Sequence, residues 1–400
     1  MKNSRYAWLV VALLWVVALL NYLDRQVIFS MFPVLRAEMR LSDLELGLVG
    51  SSFLWVYGLC SPFSGFLADR YGRRRVLITS LIVWSVLTWL TGQARNLHEL
   101  LLARALMGVS EACYLPAALA LIADYHDESS RSRATGLHYS GIYAGIVLGG
   151  VGGGWVAEHY GWRLAFTILG AVGVLYAIVL LAFLKEKPST ERKDPVQPRF
   201  LASAQALLGI RGFPILMSIF AAVSVANWLV YTWMPLYLYE RFGMNLTASG
   251  FSATFYVQLG SVAGILVGGA MADRWFVRNQ RGRVWTQAVG IAAAAPFLFI
   301  SGFTSVASLL LVGLAVFGLG RGMYDSNGMP VLCQVVPAEL RSTGFGLLNM
   351  AGTFSGGFVA LGAGALKETV GLGALLQGAG VLLLLSAFAL ARLPLASKPH

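Results

Sequence analysis

The stretch "GFLADRYGRRR", residues 65–75, sits between two long apolar runs, and it has a second copy, "GAMADRWFVRNQR" at 269–281, shifted by 204 residues. A charged turn repeated at that distance indicates a chain built twice. Two further landmarks recur in the same order. "RSRATGL" at 131–137 returns as "RSTGFGL" at 341–347, with Gly136 matched by Gly344. Gly108, Glu111 and Pro116 are matched by Gly322, Asp325 and Pro330 at an offset of 214. Parallel repeats with an even number of helices put both chain ends on one membrane face and leave a cavity between the halves, an arrangement suited to alternating access.

The composition says what each repeat is made of. Of the 400 residues, 57% are hydrophobic and 12% charged, against roughly 45–50% and 25% in soluble domains, and the mean hydropathy is +0.68. A spanning helix needs about 20 apolar residues. Such runs cover 7–34, 45–68, 75–93, 99–123, 133–157, 163–184, 211–238, 248–272, 284–302, 305–332, 342–365 and 372–393. The expectation is an all-α membrane protein with twelve transmembrane helices in two pseudo-symmetric six-helix bundles, residues 1–184 and 211–400. Between them lies a polar, proline-rich linker, 185–210, which opens "KEKPSTERKDPVQPRF" and closes on "FLASAQALLGI", a candidate short helix on the membrane surface. The 45 glycines suit helices that must approach closely in lipid. Lys2 and Arg5 ahead of the first run resemble a signal peptide, but no small-residue cleavage site follows, so the run is read as a retained span.

The formal charge of +11 raises the question of nucleic acid, and the placement of the basic residues answers it. Arg36, Arg40, Arg95, Arg163, Arg241 and Lys367 fall in odd-to-even loops, and Arg25, Arg104 and Arg321 lie at membrane depth. The rest of the 30 lie in the tails, the linker and the even-to-odd loops. By the positive-inside rule both termini are cytoplasmic in a multi-pass inner (plasma) membrane protein, and the charge excess is topological. Cys60, Cys113 and Cys333 each lie inside a span with no metal-ligand spacing. No H-E-x-x-H, P-loop or nucleophile elbow occurs, so neither a catalytic residue, a cofactor nor a metal is expected.

Six ionisable residues at membrane depth carry the functional reading: Asp24, Arg25, Arg104, Glu111, Arg321 and Asp325. Charges there are costly and mark substrate or ion paths. Arg104 and Glu111, seven apart, return to nearly one helix face. Arg25 shares a face with Asn21, while Asp24 points about 100° away, towards a neighbouring helix. Arg321 and Asp325, at i and i+4, pair within their helix, structurally or in coupling. Three acids and three bases sum to zero, so an anion is attracted only once an acid is neutralised. Glu111 is the candidate to take up the proton, leaving Arg25 and Arg104 to clamp a carboxylate. Uncharged candidates for the substrate wall are Tyr22, Tyr114, His138, Tyr139 and Tyr143 in the first half, and Asn227, Tyr231, Gln258 and Asn349 in the second.

"GFLADRYGRRR" fits G-x3-D-R-x-G-R-R without a gap and, at its place between the second and third helices, resembles the signature loop of the major facilitator superfamily. The resemblance implies the major facilitator fold and a gating latch made by Gly65, Asp69, Arg70, Arg73 and Arg74, with membrane lipid among the partners of the arginines. The second copy supplies Asp273 and Arg274 but has Phe276 in place of the later glycine. "NYLDR" at 21–25 and "RALMGVSEACYLPAA" at 104–118 are similar to the anion:cation symporter family. That similarity implies that Arg25 and Arg104 face an organic anion and that Asp24 and Glu111 handle protons. "IADYHDESSRSRA" at 122–134 is more similar to Spinster-type transporters of lysolipid or sphingolipid-like amphiphiles. Drug:proton antiporters carry a proline in the fifth helix, and residues 131–160 contain none, which leans towards symport. The expectation is a monomeric proton-coupled symporter of a monocarboxylate or sugar acid, with a Spinster-like exporter as the alternative and a non-transporting membrane sensor as the remote one.

Overall fold

The computed structural model describes residues 4–185 and 200–395, leaving aside the side chains at 4, 65, 66, 69, 128, 129, 132 and 338. Among the described residues there is no strand. Twelve helices are long and apolar enough to cross a membrane: Arg5–Ser30, Asp43–Ser64, Arg73–Gln93, Leu97–Tyr125, Arg133–Tyr160, Trp162–Phe183, Gly212–Phe242, Leu246–Arg278, Gly282–Ser301, Ala307–Val335, Arg341–Leu366 and Leu372–Ala391. They are called here the first to the twelfth span. The protein is an all-α, multi-pass membrane protein.

Local chemistry sets the ends. The first span stops at Ser30 rather than 34, because Pro33 cannot donate to the carbonyl of Phe29 and instead opens a short helix, Phe32–Met39. Ser42 and Glu45 form a reciprocal cap on the second span, the Ser42 backbone N–H donating to Glu45 at 2.7 Å and the Glu45 N–H donating to Ser42 Oγ at 3.3 Å. Gly72, at φ 93°, makes the turn between the second and third spans, a conformation closed to other residues. Of the expected linker, 186–199 lies outside the described residues, and Phe200–Gly209 is a helix.

The chain forms two compact units, Met1–Asp194 with Leu238–Phe251, and Pro195–Tyr237 with Ser252–His400. The segment 238–251, expected in the second half, groups with the first unit. Glu240 pairs with Arg36 at 2.7 Å, and Glu158 accepts from the Thr247 hydroxyl at 2.7 Å and its backbone N–H at 3.2 Å.

In the first unit the fifth span lies on the first through a row of glycines. Gly141, Gly145 and Gly149 face the backbone carbonyls of Trp15, Leu19 and Leu23 in turn, closer than any side chain permits. In the second unit Gly260, Gly264, Gly318 and Gly322 bring the eighth and tenth spans into backbone contact in the same way.

The fourth and tenth spans are each broken in the middle. The fourth is helical over Leu97–Ala112 and again over Tyr114–Tyr125, and the tenth over Ala307–Asp325 and Gly328–Val335. Pro116 and Pro330 explain both breaks, since a proline frees the carbonyl four residues back and its ring pushes that turn open. The break follows Asp325 directly in the tenth span and comes two residues after Glu111, at Cys113, in the fourth.

Candidate functional site

The first, second and fourth spans assemble a charged cluster inside the first unit. Arg25 donates from Nε to Glu111 Oε2 at 2.5 Å, and the two side chains are 9% and 0% exposed. Its guanidinium carbon lies 4.7 Å from the Tyr22 ring, 4.4 Å from Tyr57 and 5.1 Å from Phe53. Arg104, fully buried, lies over the same Phe53 ring at 4.8 Å. Its Nη1 reaches only Met107 Sδ, at 3.7 Å, while Nε and Nη2 have no hydrogen-bond partner among the described residues. Two guanidinium groups thus share one aromatic ring, and a single carboxylate, Glu111, is hydrogen-bonded to one of them. Aromatic faces attract cations by roughly 2 kcal/mol when desolvated, so the Phe53 ring contributes to holding both guanidinium groups.

Asp24 turns away from that cluster. Its Oδ2 accepts from the Thr88 hydroxyl of the third span at 3.2 Å, and its Oδ1 has no partner. Tyr114 and His138 meet at 3.1 Å between hydroxyl and Nε2, and the Tyr114 hydroxyl lies 3.4 Å from the Leu14 carbonyl, so both join the fourth and fifth spans to the first. The half-buried Tyr139 lies 6.2 Å from the His138 ring.

The second unit has its own cluster, on the seventh, eighth and tenth spans. Arg321 Nε stands 3.2 Å from Asp325 Oδ2, and the Arg321 guanidinium lies 4.9 Å from the Tyr231 ring. Gln258 donates to the Tyr231 hydroxyl at 2.7 Å, with its own Oε1 unpartnered. Asn227, one turn before Tyr231, has a buried and unpartnered Oδ1, but no contact joins it to these residues among those described.

At both broken spans a side chain from the preceding span takes up a carbonyl beside the acid. Ser80 of the third span donates to the Ser110 carbonyl, and Gln287 of the ninth donates to the Tyr324 carbonyl at 2.8 Å. In each case the accepting carbonyl belongs to the residue just before the acid.

The loop after the second span is held within the first unit. Arg73 pairs with Asp124 at 2.5 Å, and Arg74 donates to the carbonyls of Leu184 and, at 2.7 Å, Leu181. Arg70 lies 5.5 Å from the Tyr71 ring. The side chains at Gly65 and Asp69 lie outside the described residues. Asp273 and Arg274 are exposed at the end of the eighth span, where Arg274 borders a groove of about 390 Å³ with Val267, Ala270, Met271 and Trp275. Among the described residues no group of His, Cys, Asp or Glu could hold a metal ion.

Sequence reasoning missed Phe53, Tyr57 and Thr88. Phe53 and Tyr57, at i and i+4, shared one face of an apolar helix, but nothing in the sequence said which helix that face would meet. A clearer signal went unread: "NYLDR" at 21–25 aligns with "NWLVY" at 227–231 at an offset of 206, which makes Tyr231 the counterpart of Arg25.

A family model described as Major Facilitator Superfamily matches residues 14–360 and 251–400. The probable galactarate/D-glucarate transporter GudP of Bacillus subtilis (strain 168) is 26% identical over 387 residues, covering 88% of this chain and 84% of that protein. Protein spinster homolog 1 of Xenopus laevis is 27% identical over 363 residues, covering 84% of this chain and 68% of its own. A solved structure, the bacterial homolog to the human lysosomal transporter Spinster in an inward-facing and occupied conformation, matches with a TM-score of 0.83. That match covers 98% of this chain and 99% of the other at 21% identity, a likeness of fold.

Proposed function

Because this chain belongs to the major facilitator superfamily, we propose that it moves a small organic anion, a monocarboxylate or sugar acid, together with a proton by alternating access. It is a membrane transporter rather than an enzyme, as relatives that it matches over most of their length are named transporters. The observation that carries the proposal is the buried Arg25–Glu111 pair at 2.5 Å beside Arg104, whose Nε and Nη2 have no partner among the described residues. While Glu111 is ionised it occupies Arg25, and Asp24 and Glu111 together offset the charges of Arg25 and Arg104. A proton on Glu111 releases Arg25 and leaves one positive charge in excess. Arg25 and Arg104 then present forked donors that match a carboxylate. When the substrate leaves, Arg25 recovers Glu111 as the proton departs, so its guanidinium is not left without a counter-ion.

Asp24, held by Thr88, is the second carboxyl of the proton path. Tyr22, Tyr114, His138 and Tyr139 of the first unit, and Asn227, Tyr231 and Gln258 of the second, supply hydroxyl and amide partners for a polyhydroxy acid. The Arg73–Asp124 pair, with Arg70, Arg74, Gly65 and Asp69, and Asp273 with Arg274 in the second copy, serve the gates. The basic tails and even-to-odd loops favour cytoplasmic termini, and the proposed state is a monomer in the inner membrane.

The test is uptake by proteoliposomes under an inward proton gradient. Sugar acids should accumulate with protons, and Glu111→Gln should abolish accumulation while keeping substrate exchange. Normal accumulation by Glu111→Gln refutes the proposal. The 27% identity to a spinster homolog favours one competing reading, carriage of a lysolipid-like amphiphile. Lysolipid movement that survives Arg25→Ala, with no acid uptake in the native protein, would establish it instead.

A further inference from the structure

Asn21 is a neutral member of the first unit's charged cluster that the ion pair leaves unused. It lies one helical turn before Arg25 on the same face of the first span, and it is fully buried. The amide is close enough to Glu111 to interact with it, but the two are out of line. Neither Oδ1 nor Nδ2 of Asn21 has an aligned hydrogen bond among the described residues, nor does Glu111 Oε1, the oxygen that Arg25 does not hold. With both ends of the amide unengaged, exchanging its oxygen and nitrogen leaves the observation unchanged. A buried amide without partners costs free energy, and its presence calls for a state of the protein in which it is used.

Protonation of Glu111 creates such a state. A carboxylate only accepts hydrogen bonds, whereas a carboxylic acid has one O–H that donates. Arginine offers that O–H no acceptor, and Asp24 is turned to Thr88 of the third span, whose hydroxyl donates to it at 3.2 Å. We propose that Asn21 is a positioning residue that receives the protonated Glu111, its Oδ1 accepting the new O–H and drawing the acid away from Arg25. This rests on the symport reading above and deepens it, because the proton is then held where the guanidinium it releases stays open to the anion. The titratable and charged groups facing Glu111 among the described residues are Tyr22, Asp24 and Arg25 of the first span and Arg104 of its own. The second span adds Tyr57 against Arg25, the fifth adds Tyr139 near Tyr22, and the third brings the neutral Thr88.

The experiment measures anion affinity by calorimetry across a range of pH for the native protein, Asn21→Leu and Asn21→Thr, with the sugar acid that the native protein accumulates best as probe. A neutral hydrogen bond made only by the protonated form favours that form about fivefold. Where the native Kd climbs with pH, the Kd of Asn21→Leu should therefore lie about fivefold higher, its climb beginning about 0.7 pH unit lower. In acid, where Glu111 is protonated in both proteins, the difference should shrink to about twofold. Asn21→Thr, which keeps an oxygen able to accept, should fall between, and it carries the test if the leucine form does not fold. Leucine replaces an unengaged buried amide, so ligand-free Asn21→Leu should melt no lower than the native protein at a pH where Glu111 is ionised. A Kd raised equally at every pH, or a lower melting temperature with the native pH profile, marks a structural amide and overturns the inference while leaving symport standing. Absence of any proton-linked acid uptake by the native protein removes both.

Discussion

Replacing Glu111 by Gln separates charge from shape at the buried pair. In the native site an incoming carboxylate and an ionised Glu111 compete for one guanidinium, since Glu111 Oε2 lies 2.5 Å from Arg25 Nε with neither side chain appreciably exposed. If a proton resolves that competition, anion binding takes up one proton. The protonated site is the binding form, so affinity is greatest in acid and falls as pH rises. Once Glu111 is ionised in the free protein, the dissociation constant rises about tenfold per pH unit, or about 1.4 kcal/mol. An amide cannot compete at any pH, so the Kd of Glu111→Gln should stay within about twofold across the range where the native value climbs. The same change leaves Arg25 without its partner, and removing one member of a buried ion pair costs about 3–5 kcal/mol. Thermal unfolding of the ligand-free variant should therefore drop and recover when anion is added. Calorimetry in two buffers of different ionisation enthalpy measures both the affinity and the proton taken up. A Glu111→Gln protein with the native pH slope, or one that still takes up a proton on binding, refutes the linkage.

Three other perturbations test the frame around the site. Gly145→Ala would drive a Cβ onto the Leu19 carbonyl and should cost about 1–3 kcal/mol, read as a lowered melting temperature in detergent, whereas Gly152→Ala meets nothing within 4 Å and should melt no lower than the native protein. Phe53→Leu keeps apolar volume but removes the ring shared by Arg25 and Arg104. Its melting temperature should fall by the equivalent of roughly 2 kcal/mol, and an unchanged value would dismiss the ring's role. Gln287→Leu removes the side-chain donor to the Tyr324 carbonyl, which keeps the Asn327 N–H at 3.2 Å, and should lower the melting temperature by the equivalent of only about 0.5–1.5 kcal/mol, an unchanged value dismissing the side chain's role.

The twelve spans were legible because a bilayer leaves no other way to bury a backbone, so length and hydropathy nearly fix the element type. The breaks in the fourth and tenth spans were written in Pro116 and Pro330, although a window of hydropathy passes over them. The buried charges were legible for the same energetic reason. Their partners were less so. Helical spacing put Arg104 and Glu111 on one face, but Glu111 is hydrogen-bonded to Arg25 on another span, and Arg104 rests on a phenylalanine. Interhelix neighbours depend on packing that glycine rows decide, and a row such as Gly141, Gly145 and Gly149 states that something comes close without naming it. The grouping of 238–251 with the first unit likewise rests on contacts such as Arg36 with Glu240, between residues some 200 positions apart, which periodicity does not carry.

The two repeats keep one construction and vary its charges. In each, a proline opens the fourth helix just after an acid, and a freed stretch of backbone in a bilayer must find donors inside the protein. Ser80 and Gln287, at an offset of 207, add side-chain donors to the carbonyls of Ser110 and Tyr324, the residues preceding Glu111 and Asp325, which also accept the N–H groups of Cys113 and Asn327. The conserved part of the duplication is therefore the opened turn and its donor, which fix where the acid stands. What differs is the cation: Arg25 comes to Glu111 from another helix, while Arg321 lies on the same helix as Asp325. A pair across two helices changes their packing when it breaks, whereas a pair within one helix changes only local charge. On the proposed mechanism, protonation of Glu111 can thus be felt as movement of the first span against the fourth.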